Sequence, residues 1–418
     1  MNERVLIVGV NAGNNPEFKN SMEELKNLAE ACNYTVVGQV EQNMRNKHSV
    51  TYVGSGKILE IKLDAEAVNA EKVIFNDELS PSQLRNLENA LIMPVFDRTA
   101  LILEIFGKRA RTREAKLQVE MAQVQYLLPR LIGSYSALGR QSGGVGTKNK
   151  GVGEKKLELD RRRAEQKIVE LEKALQSIQN ERTTQRKRRV SSELPSIALV
   201  GYTNSGKSTL LNAFVSENNG SSDKFVLEKN MLFATLETSV RQIVMKNKRR
   251  FLLSDTVGFV SNLPHGLIKA FRSTLEEVIH ADLLLHVVDY SNPNYEEQMK
   301  VTLETLKEIG ADQIPVINVF NKAELVLDEL PMTDNRGVYI SARERIGIDI
   351  LEKMISDLVF TDYIECTMRI PFTEGALVSY LNDNACVKEI KYENDGTVLN
   401  MECREQDFQK YQKYIEMN

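Results

Sequence analysis

The clearest chemistry in the sequence is a phosphate-binding loop. Residues 201–208 read GYTNSGKS, the pattern G-x-x-x-x-G-K-S, between the apolar run IALV at 197–200 and the helix start TLL at 209–211. In a strand–loop–helix context these glycines turn backbone N–H groups towards nucleotide phosphates. We predict that Lys207 reaches the β- and γ-phosphates and that Ser208 ligates Mg²⁺. The predicted loop consists of Gly201, Tyr202, Thr203, Asn204, Ser205, Gly206, Lys207 and Ser208.

Three further motifs follow in the order expected of a GTPase. Asp255-Thr256-Val257-Gly258 ends a strand, where the Asp can hold Mg²⁺ through water and the Gly258 amide can bond the γ-phosphate. Asn321-Lys322-Ala323-Glu324 and Ser341-Ala342 each follow a buried strand and match the guanine-binding Asn-Lys-x-Asp and Ser-Ala elements. Four motifs in order predict an α/β P-loop GTPase domain with a mixed, mostly parallel sheet that binds GTP, GDP and Mg²⁺.

Two positions depart from the common GTPase pattern. Glu324 stands where GTPases usually have Asp; its carboxylate can still accept from guanine N1–H and the 2-amino group, so we predict that GTP is preferred over ATP. Phe259 stands where small GTPases commonly have a glutamine that orients the attacking water. Because a phenyl ring cannot do this, we predict slow intrinsic hydrolysis, with water ordered by another residue or by a partner. His265 is one candidate, although a lone His is more often structural.

Length and composition limit the number of domains and the class of protein. A chain of 418 residues holds two to four domains as a prior. No apolar run approaches the ~18 residues of a membrane helix, and the first ten residues do not resemble a secretory signal. The four cysteines share no metal-ligand spacing and are too few for a disulfide scaffold, so we expect a reduced, cytoplasmic protein. We also expect a monomer. The cysteines are Cys32, Cys366, Cys386 and Cys403.

Charge is unevenly distributed along the chain. The formal net charge is −4, yet residues 108–189 contain 21 Lys or Arg against 9 Asp or Glu, a net of +12, which leaves about −16 for the rest. Such asymmetry indicates an anionic partner at one region. A long solvated helix with a basic face is the alternative.

The basic segment carries two apolar stripes with helical spacing, which predict two antiparallel helices. Between them, residues 139–153 are rich in glycine and contain basic residues, so we predict a probing loop rather than an inert linker. The stripes are Leu117, Met121, Val124, Leu128 and Leu131, then Leu157, Ala164, Ile168, Leu171, Leu175 and Ile178. We predict an N-terminal α/β domain (1–108), a basic helical hairpin with a Gly-rich loop (109–192), the GTPase domain (193–360) and a small C-terminal α/β domain (361–418).

From about residue 5 to 360 the chain resembles the HflX family of GTPases. The matching segments are FDRT at 96–99, KLQVE at 116–120, LPRL at 128–131, GGVGT at 143–147, LE at 157–158, DRR at 160–162, LFATLE at 232–237, DTVGF at 255–259, LPH at 263–265 and AFRSTLEE at 270–277. The resemblance implies a GTPase that binds the large ribosomal subunit and ribosomal RNA and separates stalled or idle ribosomes under stress. The Phe after the switch glycine is usual in this family.

The resemblance also assigns roles to individual residues. It implies that Thr235 ligates Mg²⁺ and senses the γ-phosphate, that residues 233–237 lie along the nucleotide, and that Arg343 sits beside the Ser-Ala pair. Lys207, Thr235 and Gly258 are then the residues expected to act in catalysis. The segment along the nucleotide is Phe233, Ala234, Thr235, Leu236 and Glu237.

For the ribosome, we expect basic side chains of the hairpin to contact RNA phosphates. The Gly-rich loop departs from the family's usual pattern by an insertion and additional lysines, which predicts altered ribosome splitting or action on an antibiotic-occupied ribosome. An RNA-binding assembly or hibernation factor that uses GTP only as an occupancy signal is the alternative, and a signalling GTPase would leave the basic segment unexplained. The expected RNA-binding residues are Arg140, Lys148, Lys150, Lys155, Lys156, Arg161, Arg162, Arg163 and Arg188.

Overall fold

The computed structural model describes residues 2–141, 150–190, 194–218, 233, 238–261 and 275–416, with backbone alone for 131–141, 150–157 and 182–190. The chain forms two compact units. The first comprises Met1–Arg188, Lys229–Glu237 and Val257–Glu276, and the second Arg189–Glu228, Thr238–Thr256 and Glu277–Asn418. No described helix combines the length and apolar character needed to span a membrane.

The first unit begins with a four-stranded parallel sheet in the order β2–β1–β3–β4. Residues 5–8 of β1 are almost completely buried, as expected for a parallel strand covered on both faces. Ser80 and Pro81 begin α3 through a capping box with Gln83. The elements are β1 (Arg4–Ala12), α1 (Phe18–Ala31), β2 (Thr35–Met44), α2 (Ser55–Ala67), β3 (Lys72–Phe75), α3 (Pro81–Leu91), β4 (Val95–Asp97) and α4 (Arg98–Arg109).

Two long helices follow: α5 (Arg113–Gln141) and α6 (Lys150–Val190). Both extend into the segment expected to be a loop at 139–153, of which only residues 142–149 lie outside the described part. Gly151 and Gly153 are helical although each costs about 1 kcal/mol relative to Ala. A salt bridge of 2.9 Å from Lys167 Nζ to Glu120 Oε1 joins the two helices. At 41 residues, α6 is about 60 Å long.

The second unit contains a seven-stranded sheet in the order β10–β11–β9–β8–β5–β7–β6. Its edge strands β6 and β10 are antiparallel and all other pairs are parallel, which confirms the predicted mixed, mostly parallel sheet. The elements are β5 (Ser196–Val200), α7 (Lys207–Asn218), β6 (Ser239–Val244), β7 (Arg250–Asp255), α8 (Glu276–Ile279), β8 (Leu283–Asp289), α9 (Tyr295–Glu308), β9 (Val316–Asn321), β10 (Met332–Asp334), β11 (Gly337–Tyr339) and α10 (Ile348–Val359).

The second unit ends in a three-stranded antiparallel sheet, ordered β12–β14–β13 and packed against two short helices. Arg249, in the β6–β7 turn, joins it to the larger sheet: its Nη2 donates to Glu402 Oε2 at 2.8 Å, and its guanidinium lies 4.5 Å from the centre of the Tyr363 ring. The elements are β12 (Tyr363–Ile370), α11 (Gly375–Asn384), β13 (Cys386–Glu393), β14 (Gly396–Arg404) and α12 (Glu405–Lys410).

A buried histidine makes the seven-stranded sheet sensitive to acid. His286 lies on β8 between Val200 of β5 and Asn318 of β9 and is 1% exposed. Burial lowers the pKa of its imidazole from 6.5 to about 4. Because the folded pKa lies below the unfolded one, the unfolded chain binds more protons between these values. Stability that is present above pH 6.5 is therefore lost as the pH falls.

We expect His286 to reduce the free energy of unfolding by about 2 kcal/mol between pH 7 and pH 5, at ~1.4 kcal/mol per unit of pKa difference. His286→Gln should remove that part of the pH dependence, measured by urea unfolding at both pH values. His280→Gln is the matched control, because His280 is exposed. An identical pH profile for wild type and His286→Gln would contradict the assignment.

Candidate functional site

The loop between β5 and α7 has two positions that only glycine can occupy. Gly201 has φ +146°, and a Cβ there would lie 2.2 Å from the Val287 carbonyl oxygen. Gly206 has φ +95°, and a Cβ there would lie 2.2 Å from Asn321 Nδ2. Both conformations are unfavourable for residues with side chains. The two glycines therefore let the loop wrap tightly against the ends of β8 and β9.

Polar groups line this loop. Thr203 Oγ1 and Ser205 Oγ are buried and have no hydrogen-bond partner among the described residues. Such groups are usually satisfied in a folded protein, and hydroxyls beside the N-terminus of a helix suit the oxygens of a phosphate. Tyr202 is buried beside them, and Asn204 has φ +62°.

Lys207, the first residue of α7, is 6% exposed and turns back over the loop. Its Nζ donates to the carbonyl oxygens of Gly201 at 3.1 Å and Tyr202 at 2.7 Å. Burial lowers the pKa of Lys207 to about 8, and the negative charge of Asp255 opposes this shift. A polyphosphate beside the ammonium would favour its charged form in the same way.

Ser208 and Asp255 provide oxygen atoms that suit a magnesium ion. Ser208 Oγ donates to Asp255 Oδ2 at 2.6 Å, and Asp255 is completely buried at the end of β7. Hydroxyl and carboxylate oxygens are the ligand type that Mg²⁺ prefers. The next residue, Thr256, is fixed by a hydrogen bond of 2.6 Å from its Oγ1 to the Leu199 carbonyl oxygen.

Asn321 joins three parts of the site. At 2% exposure, it donates from Nδ2 to the Ser205 carbonyl oxygen and accepts at Oδ1 from the Ala342 N–H, both at 2.9 Å. The loop, the end of β9 and the Ser-Ala element are thus held together by one side chain. Ser341 is fully buried, and its Oγ accepts from the Glu344 N–H at 3.2 Å.

Lys322 is positioned by a residue that sequence reasoning missed. Its Nζ donates to Asp289 Oδ2 at 2.6 Å and to the Asn204 carbonyl oxygen at 2.8 Å. Asp289 is the last residue of β8, so its position at the end of an apolar strand (LLLHVVD) was the available signal. The pair places the Lys322 stem over the phosphate-binding loop.

Glu324 is partly buried, and its Oε2 atom has no hydrogen-bond partner in the described part of the chain. A carboxylate oxygen in that condition can accept from the guanine N1–H and 2-amino groups. Ala323 beside it is fully buried, whereas Arg343 is exposed.

We expect Glu324→Gln to weaken GDP binding by about 10- to 100-fold, because a hydrogen bond to a charged group contributes ~1.5–3 kcal/mol. ATP binding should change little, so the preference for guanine should fall. Titration calorimetry with GDP and ADP measures both affinities, and Glu329→Gln, an exposed position nearby, is the control. Equal affinity of the wild type for the two nucleotides would contradict guanine selection.

The predicted switch residues belong to the first unit. Val257 and Gly258 are buried, as is Phe259, which is 3% exposed and carries no group that could orient water. Phe233 is 2% exposed and has φ +53°. Their neighbours Ala234, Thr235, Leu236 and Glu237 lie outside the described residues, as does His265.

The predicted RNA-binding side chains are described at three positions. Arg161, Arg162 and Arg163 are exposed on α6, where they form ion pairs with Glu165 at 2.8 Å, Glu158 at 3.0 Å and Asp160 at 3.6 Å. Exposed pairs contribute little, so an RNA phosphate can replace the carboxylate. Lys148 and the side chains of Arg140, Lys150, Lys155, Lys156 and Arg188 lie outside the described part.

Three family profiles match consecutive parts of the chain. Residues 19–107 match "GTP-binding GTPase N-terminal", residues 109–189 match "GTP-binding GTPase Middle Region", and residues 196–322 match "50S ribosome-binding GTPase". The matches together run through three strands of the N-terminal sheet, the two long helices and the larger part of the seven-stranded sheet.

Full-length relatives are similar over nearly the whole chain. The GTPase HflX of Caldanaerobacter subterraneus is 42% identical over 400 residues, 96% of this chain and 91% of that protein. The GTPase HflX of Escherichia coli K12 is 36% identical over 384 residues, 90% of this chain and 88% of that protein. A GTP-binding protein of Sulfolobus solfataricus, solved with GDP, is 26% identical with a TM-score of 0.43 and covers 86% of this chain and 98% of its own.

Proposed function

The chain belongs to the HflX family of GTPases, and on that premise we propose that it binds the large ribosomal subunit and, with GTP bound, separates stalled or idle ribosomes. It binds guanine nucleotides and hydrolyses GTP.

For nucleotide binding, we place the phosphates against residues 201–208, with Lys207 at the β- and γ-phosphates. Mg²⁺ would be held by Ser208 Oγ and Thr235, with Asp255 contacting it through water, since Ser208 and Asp255 already lie 2.6 Å apart. When bound, the ion neutralises phosphate charge. The chain's own residues orient the γ-phosphate, through Lys207 and the Gly258 N–H. Asn321, Lys322 and Glu324 select the base.

For the ribosome, the observation that carries the proposal is the basic segment 108–189, which has a net charge of +12 and includes the two long helices α5 and α6. The exposed Arg161, Arg162 and Arg163 stand on one turn of α6 and point to different sides of the helix, so each can meet a phosphate on its own side. The family profile over residues 196–322, described as a 50S ribosome-binding GTPase, agrees with this partner. We expect the protein to act as a monomer in the cytoplasm.

The binding experiment is co-sedimentation with purified large subunits in GDP or a non-hydrolysable GTP analogue, over a range of salt. We expect analogue-dependent binding that weakens steeply with salt. Replacing Arg161, Arg162 and Arg163 together by Ala should make the fall of log affinity with log salt less steep. The magnitude of the slope should decrease by up to about 3, near one for each phosphate contact that is lost. The control replaces the exposed Lys246, Lys300 and Lys391 by Ala. Salt-insensitive association would contradict the proposal.

Splitting is tested separately by sucrose-gradient analysis of intact ribosomes with GTP and with the analogue. Loss of the intact particle in favour of subunits supports the proposal. Binding without separation supports the assembly or hibernation role instead.

The link to antibiotic stress rests on the extra lysines at 148, 150, 155 and 156. It predicts greater drug sensitivity when the gene is deleted; unchanged sensitivity would refute that link.

A further inference from the structure

Helix α4 contacts both chain segments that carry switch motifs. Ser261 follows Gly258 by three residues, and Phe233 precedes Thr235 by two. Both belong to the same compact unit as α4, Arg98–Arg109. One contact lies at the first residue of the helix and the other in its last turn.

At the N-terminal end of α4, Arg98 binds the segment after Gly258. It is 1% exposed, and its Nη2 donates to the Ser261 carbonyl oxygen at 3.0 Å. The same guanidinium is fixed by an ion pair with Glu24 and by a hydrogen bond of 3.1 Å to Asn76 Oδ1. A buried, paired guanidinium is planar and rigid, so the second N–H of its Nη2 is presented in a set direction. The Ser261 backbone therefore has a defined anchor on the N-terminal domain.

At the other end of α4, Phe106 contacts Phe233, which precedes Thr235 by two residues. The rings of Phe106 and Phe233 meet edge to face, with centroids 4.7 Å apart and planes at 80°. Both are 2% exposed, and Phe233 has φ +53°, a region that is costly for a bulky side chain. Surrounding contacts must hold a residue in that conformation. The Phe106 ring is one such contact.

The helix between these contacts is itself firmly held. Asp97 is fully buried and caps α4 through the Ala100 N–H at 2.8 Å. The same carboxylate accepts from Tyr126 Oη at 2.8 Å and from Arg130 Nη2 at 3.1 Å. Eight residues separate Arg98 from Phe106, about 12 Å along the axis. α4 therefore sets a fixed spacing between two segments that are distant in sequence.

We propose that Arg98 and Phe106 are positioning residues for the GTPase reaction. By holding Ser261 and Phe233 at a fixed spacing, α4 sets the positions available to the segments that contain Gly258 and Thr235. The preference for GTP over GDP then depends on residues of the N-terminal domain that lie outside the nucleotide-binding motifs. This inference concerns the enzyme without ribosomes and stands apart from the proposed ribosomal role.

The test compares Arg98→Lys and Phe106→Leu in the full-length protein without ribosomes. Arg98→Lys keeps a cation beside Glu24 but loses the fork that reaches Ser261; Phe106→Leu keeps an apolar side chain but loses the ring contact. We expect each to change the ratio of affinities for GDP and a non-hydrolysable GTP analogue by about fivefold or more. The single-turnover hydrolysis rate should change with it, while the affinity for GDP alone changes less.

One substitution in the same domain serves as a matched control. Phe75→Leu disrupts an edge-to-face pair with Tyr52 inside the N-terminal sheet. It should lower the melting temperature yet change the affinity ratio by less than about twofold. If Arg98→Lys does not fold, Phe106→Leu decides alone. An unchanged ratio in that variant, or an equal change in the control, overturns the proposal.

Discussion

Replacing Lys207 by Ala is expected to lower GTP hydrolysis by about 10²- to 10³-fold, the loss typical when one group that stabilises developing charge is removed from a closed site. The Lys207 ammonium is nearly buried and is held by the carbonyl oxygens of Gly201 and Tyr202. Alanine at this position has no ammonium to place over the loop. The phosphates would then be left with less compensation of their charge.

Phosphate release in single-turnover conditions, with the enzyme in saturating excess over GTP, measures this loss directly. Lys300→Ala is the control, because Lys300 is exposed on α9 and forms a long ion pair of 3.9 Å with Glu297. The melting temperature should stay close to that of the wild type, because burial works against a charged Lys207 even in the folded protein, where its pKa is about 8. Hydrolysis within a few fold of the wild type would refute the role given to Lys207.

Asn321→Ala is expected to weaken GDP binding by at least about tenfold and to reduce the free energy of unfolding by ~2–4 kcal/mol. The substitution leaves the Ser205 carbonyl and the Ala342 N–H without their partner, and each buried unpaired group costs about 1–3 kcal/mol. It also removes the side chain against which Gly206 packs. The loop and the Ser-Ala element would then be positioned independently.

Titration calorimetry and urea unfolding measure the two losses. Asn318→Ala is a close control, because Asn318 lies three residues earlier on β9 and donates a hydrogen bond of 2.9 Å to the Arg336 carbonyl, away from the phosphate-binding loop. It should lose some stability and retain GDP affinity. If both variants lose the same affinity for GDP, the role of Asn321 in positioning the loop and the Ser-Ala element is contradicted.

The phosphate-binding loop could be predicted because its signal is local. Glycine at two fixed positions, a lysine and a hydroxyl lie within eight residues, and the flanking apolar runs predict the strand and helix that position them. Asn321 and Ser341 could be assigned because each follows a buried strand of the same sheet. The predicted fold class is confirmed for the same reason: alternating strands and helices prescribe a mostly parallel sheet.

Contacts between distant residues could not be predicted. Asp289 and Lys322 are 33 residues apart, and Arg98 and Ser261 are 163 apart. Neither pair shares a periodicity, and a charged residue at a strand end has many equally plausible partners. The extent of α6 was also missed, because glycines at 151 and 153 favour a loop locally. The neighbouring Glu, Lys and Leu residues favour a helix, and the helix continues through them.

The strand order also determines when each sheet can form as the chain is synthesised. The four strands of the N-terminal sheet are complete once Asp97 has been added. β5, which precedes the phosphate-binding loop, pairs at Ile197 with Leu253 on one side and Leu283 on the other. Some 86 residues must therefore follow Ile197 before β5 has both neighbours. The nascent chain thus carries a finished first sheet while its nucleotide site is still unformed.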